Sequence, residues 1–217
     1  MAGKITALRA QTKNKGRVNV YLDGAFAFGL PDIVAAGLRI GQELSDADIA
    51  ALRQHDSLER AYDRALRFLS YRPRSSEEVR RYLAGKQVAE EVASEVLQRL
   101  ARAGLVDDAA FARFWVENRT SFRPRGASAL RYELRRKGIG ESAIEAAVAA
   151  VDEDGSAYQA AQARAARLLH VDRDTFYRRL GEFLRRRGFS YATARDAVER
   201  LWRERSGDTP ESLSEKS

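Results

Sequence analysis

The sequence predicts a mainly α-helical protein, an elongated array of three tandem three-helix repeats that follows a small N-terminal β-hairpin and α extension. From residue 57 onward, apolar residues recur at helical spacing. The segments 83–88, 134–139 and 184–189 resemble one another at intervals of 51 and 50 residues, a period typical of tandem helical repeats. Before residue 30, apolar and polar residues instead alternate as they do in strands.

The N-terminal segment carries the signals of a hairpin followed by short helices. Residues 17–22 alternate in polarity, and Asp23-Gly24 separates them from a second apolar run, which is a strong hairpin pattern. Residues 4–11 are expected to add a further strand. Short helices are expected to start after Pro31 and after Ser45, since proline suits a first helical position and serine is a preferred N-cap.

The helical repeats define the predicted domain organisation. Each repeat would bury its apolar stripes partly on its own and partly against its neighbour, which would produce a curved solenoid. The predicted domains are 1–56 for the N-terminal segment, 57–106, 107–151 and 152–205 for the three repeats, and 206–217 for a polar, disordered tail.

The composition limits the chemistry that the chain can perform. The absence of cysteine excludes disulfides, thiolate metal sites and cysteine nucleophiles, and it suits a reducing cytoplasm. No secretion signal and no apolar run of membrane-spanning length is evident. The net charge of +7 favours an anionic partner. Only six of the 38 basic residues are lysines. A GC-rich genome would explain this bias equally well, because GC-rich codons encode both arginine and alanine.

No constellation of residues predicts catalysis. The sequence has neither a phosphate-binding glycine loop nor a recognisable Ser-His-Asp arrangement. Asp107, Asp108 and Glu117 could be imagined as metal ligands, but an acidic helix N-terminus explains them more simply. We therefore expect no enzymatic activity, no cofactor and no metal site.

Basic residues cluster in two similar stretches, 71–83 and 119–139. In the first, Pro73 ends one helix and Ser75 begins the next, so part of the pattern is structural. A solvated charged face would explain the arginines, but their recurrence in two repeats favours a shared binding face. The candidate residues, here called the arginine face, are Arg72, Arg74, Arg80, Arg81, Arg119, Arg123, Arg125, Arg131, Arg135 and Lys137.

These stretches resemble the RecX family. The resemblance rests on Tyr71-Arg72-Pro73-Arg74-Ser75, on 105–115 with its Leu-Val-Asp-Asp start, and on Lys137-Gly138-Ile139, and it covers roughly 57–203. The N-terminal segment is similar to an extension of some longer members. The resemblance implies a regulator that binds RecA and its filaments on single-stranded DNA. Such regulators inhibit filament extension and the ATPase, recombinase and coprotease activities, and some bind DNA directly.

Other functions remain open from the residues alone. The repeats could act as helix-turn-helix modules of a stand-alone DNA-binding protein, although residues 142–151 contain no lysine or arginine. A helical scaffold for another partner is also compatible with the pattern. We expect a monomer, because no long heptad or spare apolar stripe is visible, and we expect Phe122 and Tyr177 to be core residues rather than exposed contacts.

Overall fold

The computed structural model describes residues 3–12 and 15–206, and the part it describes is mainly helical, as predicted. It forms two compact units. One contains the chain up to Pro73 together with Val79–Leu105, and the other contains Arg74–Glu78 together with the chain from Val106 onward. Apart from Ser206, which ends the last helix, the predicted tail lies outside the described residues.

The N-terminal segment is an antiparallel sheet, which confirms the predicted hairpin and the additional strand. Its strands are β1 (Gly3–Ala10), β2 (Arg17–Leu22), β3 (Ala25–Pro31) and β4 (Glu43–Leu44), in the order β3-β2-β1-β4. Asp23 and Gly24 have φ values of 50° and 87°, as a tight hairpin turn between twisted strands requires. Strand β4 was not predicted, because two residues are too few to show alternation.

Helix α1 (Asp32–Ala35) lies between β3 and β4, and α2 (Asp46–Leu69) follows β4. Ser45 caps α2 as predicted, since its hydroxyl accepts from the Asp48 N–H at 3.1 Å. Helix α2 runs without a break, so the predicted boundary after residue 56 lies inside it. The buried Asp56 accepts a hydrogen bond from Arg17 Nη2 at 2.6 Å and thereby joins α2 to β2.

The three-helix domains follow in chain order. The first uses the C-terminal half of α2 with α3 (Ser76–Ala84) and α4 (Glu90–Arg102). The second contains α5 (Asp108–Phe122), α6 (Ala127–Arg136) and α7 (Glu141–Ala149). The third contains α8 (Glu153–Ala165), α9 (Arg173–Arg186) and α10 (Tyr191–Ser206). None of the helices described is both long enough and apolar enough to cross a membrane.

The middle helices α3, α6 and α9 end in the same way, which confirms the alignment of the repeats. Leu83, Leu134 and Leu184 are fully buried. Each of their carbonyls accepts a 3.2 Å hydrogen bond from the N–H five residues later, the mark of a Schellman helix end. The left-handed residues at these ends are Gln87, Gly138 and Gly188, with φ values of 58°, 76° and 86°.

Each of the last two repeats has its own core. The second is built around Phe111, Leu130 and Ile144, and the third around Phe176 and Leu180. The aromatic side chains of the third repeat also contact one another, since the Phe176 and Trp202 rings meet edge to face at 5.3 Å. These cores position the basic side chains that lie on the helix surfaces.

Candidate protein and nucleic-acid interface

Two members of the arginine face converge on one carboxylate in the second repeat. Arg119 Nε donates to Glu133 Oε2 at 2.7 Å, and Arg125 Nε lies 3.3 Å from Glu133 Oε1. The indole N–H of Trp115 donates to the same carboxylate at 2.8 Å, and the Arg119 guanidinium lies 4.6 Å from the indole ring centre. The cluster is partly buried, so these arginines tie α5 and the following loop to α6.

Lys137 joins the end of α6 to the first turn of α3, which belongs to the same compact unit. Its ammonium lies 2.6 Å from Glu78 Oε1, and its carbonyl accepts a 2.7 Å hydrogen bond from the fully buried Ser75 hydroxyl. Gly138 follows in close contact, since a Cβ there would lie 2.4 Å from the Glu77 Cβ. Packing therefore explains the residue types at Ser75, Glu78, Lys137 and Gly138.

The same kind of junction occurs one repeat later, between the start of α6 and the end of α9. The Gly126 N–H donates to the Arg187 carbonyl at 3.0 Å, and the Ser128 hydroxyl donates to the Gly188 carbonyl at 2.7 Å. A Cβ at Gly188 would lie 2.5 Å from the Ala129 Cβ. The recurrence of the small residues in these stretches thus has a structural cause in the close approach of the helix ends.

Arg131 and Arg135 are both paired at the α6 surface, because each binds its own glutamate on α7. Arg131 donates to Glu145 at 2.7 and 2.9 Å, and Arg135 donates to Glu141 at 3.0 and 2.5 Å. These hydrogen bonds lower the pKa of both glutamates and raise the pKa of both arginines. A partner at this surface would meet a largely neutralised set of charges.

The remaining members of the arginine face are divided between the two units. Arg72 donates to the Pro73 carbonyl at 2.8 Å, Arg80 lies 3.1 Å from Glu90 Oε1, and Arg81 is exposed; all three arginines are in the first unit. In the second unit Arg74 is half-buried, whereas Arg123 is exposed. Among these five residues, Arg81 and Arg123 are therefore the most accessible to a partner.

The third repeat presents arginines that the sequence analysis did not include in the arginine face. Arg178, Arg179 and Arg185 are exposed on α9, and Arg186 is exposed beside Glu182 at 3.9 Å. Arg185 and Arg186 could have been found from the sequence, because the segment 184–189 aligns with 134–139 without gaps and places them opposite Arg135 and Arg136.

The expectation for Phe122 was wrong, whereas that for Tyr177 is compatible with the structure. Phe122 is 77% exposed, because α5 ends there; in the loop that follows, Pro124 and Gly126 are the buried residues. Tyr177 is half-buried and packs against the rings of Phe176 and Trp202.

The acidic residues at the start of α5 serve the backbone. Asp107 accepts from the Ala109 and Ala110 N–H groups at 2.8 and 3.0 Å, which makes it the N-cap. Asp108 Oδ1 accepts from the Ser76 N–H at 2.8 Å. In the described ranges, no three histidine, cysteine or acidic side chains form a group that could hold a metal ion.

Comparison with known families matches three models to this chain. The RecX N-terminal domain matches residues 3–45, the first RecX three-helix domain matches 61–100, and the second matches 107–148. The regulatory protein RecX of Bacillus subtilis is 32% identical over 94% of this chain and 80% of its own length. That of Lactobacillus delbrueckii subsp. bulgaricus is 37% identical over 69% of this chain, and the match spans 56% of that relative's length.

Solved structures show the same similarity. A crystal structure of regulatory protein RecX is 30% identical, with a TM-score of 0.74 over 91% of this chain and 99% of that one. The structure of RecX from Lactobacillus salivarius, at 24% identity, shares the fold with a TM-score of 0.62 over 68% of this chain and 97% of that one.

Proposed function

The chain belongs to the RecX family, a family of non-enzymatic regulatory proteins, and from this premise we propose that it binds RecA and RecA filaments on single-stranded DNA. Bound there, it inhibits filament extension and the ATPase, recombinase and coprotease activities of RecA. The observation that carries the proposal is the similarity to a regulatory protein RecX over 94% of the chain. A partner of this kind places the protein in the cytoplasm, where we propose that it acts as a monomer.

The arginine face is the proposed contact surface, and the structure ranks its members. Arg81 and Arg123 are exposed, and no acidic residue in the described ranges forms an ion pair with Arg123, so Arg123 can meet acidic groups of a partner. Arg119 and Arg125 hold the second repeat together, and Lys137 joins it to the first turn of α3, so substitution of any of the three would disturb folding as well as binding. We propose that the repeats 57–106, 107–151 and 152–205 contact the filament together, which raises avidity without a single strong site.

The alternative of a stand-alone helix-turn-helix protein gains no support from the second repeat. Major-groove reading places Arg, Asn or Gln on a recognition helix. Helix α7, the third helix of that repeat, contains no such residue and carries Glu141 and Glu145 on its surface.

The test is the single-stranded-DNA-dependent ATPase of RecA, measured while this protein is titrated in at fixed DNA and at several salt concentrations. We expect inhibition well below the amount that coats the DNA. Arg81→Glu and Arg123→Glu should weaken inhibition, whereas Arg113→Glu, an exposed arginine outside the arginine face, is the matched control. Inhibition only when the DNA is coated would contradict the proposal.

A further inference from the structure

An open cleft lies where α5 ends beside α8 in the second unit. Its volume is about 570 Å³, and its polar or aromatic lining residues are Ser121, Phe122, Arg123, Gln159, Gln162 and Arg187. No aspartate or glutamate lines the cleft. It therefore combines cations, amides and an aromatic ring without a carboxylate to neutralise them.

The two arginines of the cleft carry charge that the described residues do not compensate. Arg187 Nη1 donates to the Pro124 carbonyl at 3.1 Å, and the guanidinium lies 4.7 Å from the Phe183 ring centre. No aspartate or glutamate in the described ranges forms an ion pair with Arg123 or Arg187. Burial, together with the nearby Arg125 and Arg123, lowers the pKa of Arg187, as expected where positive charges are crowded.

The junction between α3 and the end of α6 contains a carboxylate that the junction between α6 and the end of α9 lacks. Lys137, at the place equivalent to Arg187, is neutralised by Glu78 at 2.6 Å. The place equivalent to Glu78, 51 residues later, is occupied by Ala129. The same junction therefore has an internal ion pair in one copy and an uncompensated arginine in the other, so the second copy can attract an external anion.

The ring of Phe122 supplies the second element of the cleft. Phe122 is 77% exposed, and its equivalent Tyr71 is 83% exposed; each directly precedes an Arg-Pro-Arg sequence. Proteins that bind single-stranded nucleic acids without sequence preference stack the bases on exposed aromatic rings and hold the phosphates with nearby cations. The amides of Gln159 and Gln162 can donate to and accept from base edges.

We infer that this cleft binds a nucleotide of single-stranded nucleic acid, with the base stacked on Phe122 and the phosphate held by Arg123 and Arg187. An acidic polypeptide would satisfy the arginines but would leave the exposed ring without a stacking partner. The inference goes beyond the contact with RecA and does not require it, although Arg123 belongs both to the arginine face and to the cleft.

The test is fluorescence anisotropy of a labelled oligothymidine with the full chain and no RecA, so the result is independent of the ATPase titration. Phe122→Leu should weaken binding roughly five- to 150-fold, the effect of one lost stacked base. It should not change binding of an abasic strand with the same phosphates. Tyr132→Leu, which removes another exposed aromatic beside an arginine, should bind as wild type and is the matched control.

The charge of the cleft is tested by two further variants. Arg123→Gln should lower the slope of log affinity against log salt by about 0.7, the value for one phosphate contact with a single strand. Ala129→Glu should weaken binding while keeping both arginines, because it restores the carboxylate present in the preceding junction. Equal binding by all variants would overturn the inference. An equal loss of affinity of Phe122→Leu for the oligothymidine and for the abasic strand would also overturn it. Displacement of the oligothymidine by polyglutamate of matched charge would overturn it in favour of an acidic protein segment.

Discussion

Replacing Ser75 with alanine tests how the first turn of α3 is held. The Ser75 hydroxyl accepts from the Glu78 N–H at 3.2 Å and donates to the Lys137 carbonyl at 2.7 Å, and the residue is fully buried. One side chain thus caps a helix and joins two segments that are distant in the sequence.

The expected loss follows from these two bonds. Removing a serine N-cap costs about 1 kcal/mol. Leaving the Lys137 carbonyl without its buried donor adds about 1–3 kcal/mol. We therefore expect Ser75→Ala to lower the free energy of unfolding by about 2–4 kcal/mol.

Urea unfolding followed by circular dichroism measures this loss against two matched variants. Ser45→Ala removes an exposed cap only and should cost about 1 kcal/mol. Ser128→Ala removes an exposed bond to the Gly188 carbonyl and should cost about 0.5–1.5 kcal/mol. If Ser75→Ala costs no more than Ser45→Ala, the buried bond to Lys137 contributes nothing and the reasoning is refuted.

Three further predictions use the same unfolding measurement. Gly138→Ala should lower the free energy of unfolding by about 2–4 kcal/mol, because φ is 76° and the new Cβ would overlap Glu77 of α3. The control is Gly181→Ala, which adds a Cβ at an open position inside a helix and should raise the free energy of unfolding by about 0.5–1 kcal/mol. Gln87→Gly should stabilise by about 1 kcal/mol, since glutamine there is left-handed; an unchanged stability would argue against strain. The pKa values of Glu141 and Glu145 are lowered from 4.5 in the folded state, so their pairs stabilise above pH 4.5 and lose this effect as the pH falls through the lowered values. Replacing both with glutamine should therefore destabilise the protein at neutral pH, and the difference from wild type should vanish in acid; a difference independent of pH would contradict this account.

Much of the fold could be predicted because its signals are local. The alternation around Asp23-Gly24 predicted the hairpin, and the leucines at 83, 134 and 184 predicted three equivalent helices, all fully buried at those positions. Ser45 and Ser75 were recognised as helix starts, since a cap is made with a residue only three positions away. Helical periodicity and capping depend on neighbours in the sequence, which a single chain displays directly.

The roles of the basic residues were decided by the tertiary structure. From the sequence, Lys137 and Arg123 were equal candidates for a binding face, yet Lys137 binds Glu78, 59 residues away, whereas Arg123 is exposed. The sequence by itself determined which segments are helical and where basic residues are concentrated. Only the packing of distant helix ends determined which charges are paired internally and which can meet a partner, because an ion pair needs its groups within about 4 Å in space.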